Sequence, residues 1–262
     1  MKELFVLGGE LSKRNALILT VVGLLGTFFI WQMGIYLGFI DPRVLPGPIA
    51  IMSSIPDLLE RGLISEAWYS IKLNLMGFFF ALLFAFPLGI FLGLSPLVRG
   101  LSLPFVKGFP YLPLTAMTIL FVAWFGIYDE MKVSFLSFAI FVYLLPTITQ
   151  KVMETPAVYV NTAKTLGASN WQLIWRVYIP STIGRGWDDV VTLVGISWTY
   201  IIIAELINRT GGIGSMIFLT SDKLHRMDMT FALLFVLMNI GFTEDRLGRL
   251  VGKLLNPSRK GK

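Results

Sequence analysis

The sequence predicts an all-α protein that crosses a membrane six times. Of its 262 residues, 55% are hydrophobic and only 15% are charged, and the mean hydropathy is +0.72. A single globular core cannot bury that much apolar surface. Most of it lies in six stretches without a charged residue: 15–40, 73–98, 108–128, 133–150, 190–204 and 229–243. We therefore expect an integral membrane protein.

The first two spans are the most regular. A helix needs about 20 residues to cross the hydrocarbon core, and we expect the first span over 16–37 and the second over about 67–94. The loop between them contains the turn-rich segment 41–48 and an amphipathic stretch, 51–59, that we expect at the outer surface. Two pairs of glycines four residues apart, Gly34 with Gly38 and Gly89 with Gly93, would permit close helix approach in lipid.

Prolines interrupt the third span near its start. Pro104, Pro110 and Pro113 remove backbone donors, which only protein or water can replace at membrane depth. This pattern has two interpretations: an irregular segment that lines a transport pathway, or an interfacial elbow before a regular helix.

The remaining spans are expected to end near Gln150 for the fourth and to cover 187–207 and 229–242 for the fifth and sixth. The last two reach spanning length only with flanking residues included. Adjacent Asp188 and Asp189 are interpreted as the cytoplasmic edge of the fifth span. No internal repeat or soluble domain is visible, so 1–262 is expected to be one transmembrane domain.

The basic residues predict the orientation. With the N-terminus in the cytoplasm, 15 of the 22 Lys and Arg residues lie on the cytoplasmic side, as membrane topology requires. That side receives Lys2, Lys13, Arg14, Arg99, Lys107, Lys151, Lys164, Arg176, Arg185 and six residues of 246–262. Both termini are then cytoplasmic. The net charge of +6 is explained by this topology, and we expect no nucleic-acid partner.

One polar segment, 159–180, interrupts the apolar pattern. Ala163, Leu166 and Trp171 recur at helical spacing, together with Ile174 and Val177. Gly167 stands where one short helix would end, and Ser169 or Asn170 would cap the next. Lipid offers no partners to such a polar helix-turn-helix, so we expect it to face a partner in the cytoplasm.

Several motifs in this order resemble those of ABC importer permeases. Gly167 is followed after nine residues by Val177-Tyr178-Ile179-Pro180, which resembles the family's cytoplasmic signature loop. Further segments are similar to those of one branch of this family, the importers of nitrate, sulfonates, taurine and thiamine precursors. They are residues 41–46, 113–127 (from Pro113 to the Trp-Phe-Gly-Ile of 124–127), 198–199, 204–207, 211–214 and 245–246.

The resemblance implies a type I importer permease fold of six transmembrane helices with a cytoplasmic coupling helix, in a loop of about 151–185. It implies an inner membrane location, a homodimer that forms the solute pathway, a cytoplasmic ATPase dimer that holds ATP and Mg²⁺, and an outer solute-binding protein. The residues implied in ATPase coupling are Ala163, Lys164, Leu166, Gly167, Ala168, Trp171, Arg176 and Pro180. Pathway candidates are Pro113, Trp124, Trp198, Thr199 and Glu205.

One position departs from that family pattern. The family's loop opens with Glu-Ala-Ala, whereas this chain has Asn161, Thr162 and Ala163. The missing carboxylate implies that docking relies on shape and apolar contact, with Lys164 or Arg176 supplying charge.

The sequence carries few of the groups that enzymes use. It has no cysteine and one histidine, His225, so we expect no thiolate chemistry and no metal site. It contains no Gly-x4-Gly-Lys-Ser/Thr phosphate loop, so we expect neither ATP hydrolysis nor any cofactor on this chain. Glu205 has two interpretations, a functional intramembrane acid or a structural residue that snorkels or forms an ion pair.

Two other function classes compete with the importer. A stand-alone channel or secondary transporter would work without an ATPase, but six spans show no inverted second half. An intramembrane enzyme would need paired carboxylates or a Ser/His constellation at membrane depth. The substrate range implied by the resemblance includes nitrate, sulfonates or taurine, bicarbonate and thiamine precursors.

Overall fold

The computed structural model describes residues 11–255, without the side chain of Leu255, and this part of the chain contains no strand. The helices in chain order are α1 (Lys13–Tyr36), α2 (Pro48–Ser53), α3 (Ile55–Glu60), α4 (Leu63–Leu94), α5 (Pro96–Gly108), α6 (Leu114–Phe125), α7 (Asp129–Met153), α8 (Ala157–Thr165), α9 (Asn170–Leu173), α10 (Ile179–Ile207), α11 (Ile213–Phe218) and α12 (Met227–Leu255). Lys2 and the basic residues beyond position 255 lie outside the described range.

Long apolar helices confirm the membrane-spanning all-α class. Within 11–255, five helical segments are long and apolar enough to cross a membrane: α1, α4, α7, the continuous run Asn170–Ile207 and α12. A sixth crossing results if α5 and α6 are counted together as one broken span. The expectation of six spans therefore holds only with that broken pair included.

The third span consists of two helices with a sharp bend between them. Pro104 lies inside α5, and the break comes later, where a 3₁₀ turn at Phe109–Tyr111 precedes α6. The axes of Pro96–Tyr111 and Leu114–Phe125 differ by 98°. Leu112 is extended, as expected before the ring of Pro113. The 12 residues of α6 extend about 18 Å, less than the hydrocarbon core.

The described residues form two compact units. The first comprises 11–61 with 220–232. None of the residues of α1 in this unit is buried. In the loop after α1, the Asp41 carboxylate accepts the amide of Arg43 at 2.8 Å, and Arg226 forms ion pairs with Asp57 at 3.4 Å and Asp228 at 2.7 Å.

The second unit comprises 62–219 with 233–255 and contains the main core. Its centre is α7, which packs along α4 on one side and against α10 on another. Leu136, Ile140 and Leu144 of α7 are fully or almost fully buried in this core. The helices that carry the candidate sites are thus held by one apolar centre.

Glycines set the spacing between α4 and α7. A Cβ added at Gly89 would lie 2.7 Å from Cγ2 of Ile148, and one at Gly93 would lie 2.6 Å from the Val152 side chain. The close approach expected for this pair is confirmed. The expectation for Gly34 and Gly38 is wrong, because Gly38 follows the end of α1 with φ of +77°.

The fifth and sixth spans are longer than their charge-free stretches. The helix α10 begins at Ile179, so Asp188 and Asp189 lie inside the helix and not at its end. Their assignment to the cytoplasmic edge of the membrane span stays a prediction. Similarly, α12 continues through Glu244, Asp245 and Arg246. Charged side chains can remain in a helix near the membrane surface when they reach water or form ion pairs.

Substitution of Gly89 tests the packing of α4 on α7. We expect Gly89→Val to lower the free energy of unfolding by about 1–3 kcal/mol, because overpacking forces the helices apart. Thermal unfolding of the purified protein in detergent measures this. The control Gly100→Val adds a side chain where no atom lies within 4 Å; equal destabilisation of both variants would contradict the assignment.

Candidate functional site

The predicted polar segment is a helix-turn-helix whose turn depends on Gly167. The amide of Gly167 donates to the carbonyl of Lys164 at 2.9 Å, and the amide of Ala168 donates to that of Ala163 at 3.0 Å. These two bonds end α8 in the Schellman pattern, which requires a left-handed residue, and Gly167 has φ of +82°. The predicted end of the first short helix is confirmed.

A capping box starts the second short helix. The hydroxyl of Ser169 accepts the amide of Gln172 at 3.3 Å, and the Gln172 side chain accepts the amide of Ser169 at 2.8 Å. Such reciprocal bonds satisfy two amides that a helix start leaves free. Of the two predicted caps, Ser169 is the one used.

The second short helix does not end before the membrane span. A π-helical turn, Ile174–Tyr178, joins α9 to α10, so that Asn170–Ile207 is one continuous helical run of 38 residues. Pro180 lies at the start of α10. A proline removes one backbone donor, and the wider π-helical turn before it accommodates that loss. The expected loop up to about 185 is therefore mostly helix.

The helix-turn-helix exposes large apolar side chains. Leu166 is 82% and Trp171 is 67% exposed, and the ring of Trp171 packs edge-on against Trp175 with centroids 5.5 Å apart. Lys164 and Arg176 are also exposed, as is Pro180, whereas Ala163 and Ala168 are half-buried. The exposed residues form a surface on which a partner can pack. Sequence reasoning did not include Trp175 in it.

Arg185 fastens the base of this segment to the end of α7. Its guanidinium donates to the carbonyls of Lys151 at 2.5 Å and Glu154 at 2.7 Å, and to the hydroxyl of Thr155 at 3.1 Å. A cation that binds the free carbonyls of a helix end is stabilising. An ion pair between Lys151 and Asp189, at 2.9 Å, joins the same two helices.

The pathway candidates lie in different environments. Trp124 and Thr199 are exposed, and so is Pro113 at the start of α6. Trp198 is buried and donates from Nε1 to the Glu244 carboxylate at 2.8 Å, which links α10 to α12. The candidates therefore differ in exposure, and their common role in a pathway stays a prediction.

Glu205 is fully buried at the far end of α10. Its Oε1 accepts the Ser70 hydroxyl at 2.7 Å, and its Oε2 accepts the amide of Gly214 at 2.8 Å. Ser70 in turn accepts the amide of Ile213 at 2.9 Å. Of the two interpretations, this geometry fits a structural residue that holds the glycine turn 211–214 against α4.

The same turn receives a second carboxylate and a lysine. Glu66 accepts the amide of Gly212, and Nζ of Lys132 donates to the Thr210 hydroxyl at 3.0 Å and to the Gly211 carbonyl at 3.4 Å. Lys132 is 0% exposed. Its ion pair with Asp129, at 3.9 Å, and its bonds to the turn compensate for the burial of a cation.

The family model for "binding-protein-dependent transport system inner membrane component" matches residues 85–254. The chain belongs to that family. It is a multi-pass inner membrane protein and an ABC transporter permease. The resemblance drawn from the motifs is thereby confirmed.

Two of the relatives are named as permeases for taurine and for nitrate. The chain is 28% identical over 242 residues to the taurine transport system permease protein of Escherichia coli, covering 88% of this chain and 87% of the relative. It is 26% identical over 250 residues to the nitrate import permease protein of Synechococcus elongatus, covering 87% and 86%.

Solved structures share the fold. An inward-facing structure of the MetNI methionine ABC transporter matches with a TM-score of 0.66 at 16% identity, covering 74% of this chain and 96% of the solved one. A bacterial ABC transporter involved in alginate import matches with a TM-score of 0.57 at 17% identity, covering 93% and 97%. The type I importer permease fold is confirmed.

Substitution of Glu205 tests its role in the glycine turn. Glu205→Gln leaves an NH₂ group facing a hydroxyl or an amide that also donates, and an unsatisfied buried donor costs about 1–3 kcal/mol. We expect faster hydrogen exchange at residues 211–216, measured by mass spectrometry. The control Glu60→Gln, at an exposed position, should leave exchange there unchanged; unchanged exchange in Glu205→Gln would contradict the structural role.

Proposed function

We propose that this chain forms the solute pathway of an ABC importer as a homodimer, driven by ATP hydrolysis on separate cytoplasmic ATPase subunits. ATP and Mg²⁺ then belong to those subunits, and an extracytoplasmic binding protein delivers the solute. The observation that carries the proposal is the exposed apolar surface around Leu166 and Trp171, on a segment built by a glycine turn and a capping box.

The docking of the ATPase is assigned to that surface. Leu166 and Trp171 supply apolar contact area, and exposed Lys164 and Arg176 supply positive charge around it. Aromatic residues and arginine are the side chains that most often dominate binding energy at interfaces. Because Asn161 replaces the family's glutamate, these groups carry the contact without a carboxylate at that position.

The transmission of motion follows from the continuous helix. The run Asn170–Ile207 connects the docking surface directly to the membrane-spanning part of α10. The bonds of Arg185 and the Lys151–Asp189 pair tie that helix to α7. A displacement of the docking surface by the ATPase is therefore passed to α10 and α7 together, as a rigid movement and not as a bend in a loop.

The proposed topology places both termini in the cytoplasm. The α8–α9 segment and the base of α10 carry Lys151, Lys164, Arg176 and Arg185, in agreement with the excess of positive charge on that side. The glycine turn 211–214 is then at the outer side, where the binding protein approaches.

The proposed pathway includes one exposed face of α10. Thr192, Gly195 and Thr199 recur at helical spacing and are exposed, on a helix that packs against α7. Hydroxyls and a bare backbone suit a water-filled passage better than lipid. A second copy of the chain, placed with the same face opposite, would enclose such a passage.

The proposed substrate is a small anion or zwitterion of the kind that the relatives transport: taurine or another sulfonate, or nitrate, with bicarbonate and thiamine precursors as further members of the set. The α10 face carries hydroxyls and no lysine or arginine. Recognition there would use hydrogen bonds and not a full opposite charge.

Replacement of Gly167 tests the coupling. Gly167→Val forces a β-branched residue to φ of +82°, which is strongly disfavoured, although space around the Cβ is open. With the cognate ATPase and binding protein in liposomes, we expect loss of solute-stimulated ATP hydrolysis across nitrate, sulfonates, bicarbonate and pyrimidines.

The matched control is Gly167→Asn, because asparagine tolerates the left-handed region. It should retain most of the stimulated activity. Normal transport by Gly167→Val would overturn the coupling role, and transport by the wild-type protein without any ATPase would favour a stand-alone channel.

Introduced cysteines test the dimer. The chain has no cysteine, so a single Thr199→Cys can form a disulfide only with a second copy. We expect oxidation to give a covalent dimer on a denaturing gel, because the α10 faces lie opposite each other. Phe79→Cys, exposed on α4, is the control; cross-linking at neither or equally at both positions would contradict the α10 interface.

A further inference from the structure

A groove of about 660 Å³ lies between α4, α6 and α7, away from both the docking surface and the α10 face. Its volume is in the range of about 300–1,000 Å³ typical of small-molecule sites. The walls are mainly apolar, with five phenylalanines and two hydroxyls: Phe80 and Phe84 of α4, Phe121 and Phe125 of α6, and Phe138, Ser134 and Ser137 of α7.

The groove has one polar end. There it is lined by Lys72 of α4 and by Asp129 and Glu130, the first two residues of α7. No ion pair among the described residues includes Lys72 or Glu130. Asp129 accepts the hydroxyl of Tyr69. A cation and two carboxylates thus stand together at the level where the charge-free stretches of α4 and α7 begin.

The length of the groove matches one leaflet of a bilayer. Lys72, Met76, Phe80 and Phe84 line it at four-residue intervals along α4. At a rise of 1.5 Å per residue, Lys72 and Phe84 are about 18 Å apart along the axis. Half of a hydrocarbon core is about 15 Å thick.

We propose that this groove binds one zwitterionic phospholipid with a primary ammonium headgroup. Lys72 pairs with the lipid phosphate, and Asp129 and Glu130 pair with its ammonium. One acyl chain lies along the phenylalanine walls. Charges of both signs at one end and mainly apolar walls along the rest match such an amphiphile. A helix from a second copy would need no charge pair at one end.

Native mass spectrometry of the purified, delipidated protein tests the site. On titration with phosphatidylethanolamine, phosphatidylcholine or phosphatidylglycerol, we expect tightest retention of one phosphatidylethanolamine per chain. Lys72→Glu should weaken it by about fivefold, since an exposed ion pair contributes up to about that factor. Ser134→Trp, which fills the groove, should abolish it.

Two controls keep the outcome specific. Arg43→Glu changes an exposed cation elsewhere, and Phe79→Trp changes an exposed aromatic residue on another face of α4; neither should alter retention. Equal binding of the three lipids, or retention unchanged by both groove variants, would overturn the proposal. The proposal would also be overturned if Ser134→Trp lost the dimer but kept the lipid, because that result would assign the groove to a second copy of the chain.

Discussion

The structure depends on one constraint: polar groups buried at membrane depth must find partners within the protein, because lipid offers none. Glu205 meets it by accepting from Ser70 and from the amide of Gly214. The indole N–H of Trp198 donates to the Glu244 carboxylate, and that of Trp187 donates to the carbonyl of Gly248 at 2.7 Å. Apart from the bond between Glu205 and Gly214, which are nine residues apart, each of these bonds joins two helices that are distant in sequence. The polar residues therefore act as fixed points between helices that apolar packing alone would allow to slide.

The same constraint explains the glycine turn after α10. Backbone amides at the start of α11 have no intrahelical acceptor, and the carboxylates of Glu66 and Glu205 accept them. A side chain at Gly212 would overlap the Glu205 carboxylate, so only glycine permits this approach. Lys132 donates to the same turn, so the turn is held by groups of both signs.

The sequence predicted local features better than long-range ones. The roles of Gly167 and Ser169 follow from capping rules that involve neighbouring residues, and both predictions are confirmed. The continuity of α9 with α10 was missed because a proline normally marks a boundary, whereas a π-helical turn compensates here. The partners of Lys132 and Arg185 were missed as well, since they lie 78 and 31 residues away along the chain.

These contacts restrict how the proposed transport cycle can proceed. At one end, α10 is tied to α7 by Arg185 and by the Lys151–Asp189 pair; at the other, Glu205 ties it to α4. Between them, Trp198 ties it to α12. A movement that begins at the docking surface must therefore carry these helices as one body, because bending α10 alone would break buried hydrogen bonds. The surfaces that move against each other during transport must then lie outside this body. On α10, the exposed face with Thr192 and Thr199 is such a surface. A gate between two such bodies needs no flexible hinge within either one, which agrees with a solute pathway formed by two copies.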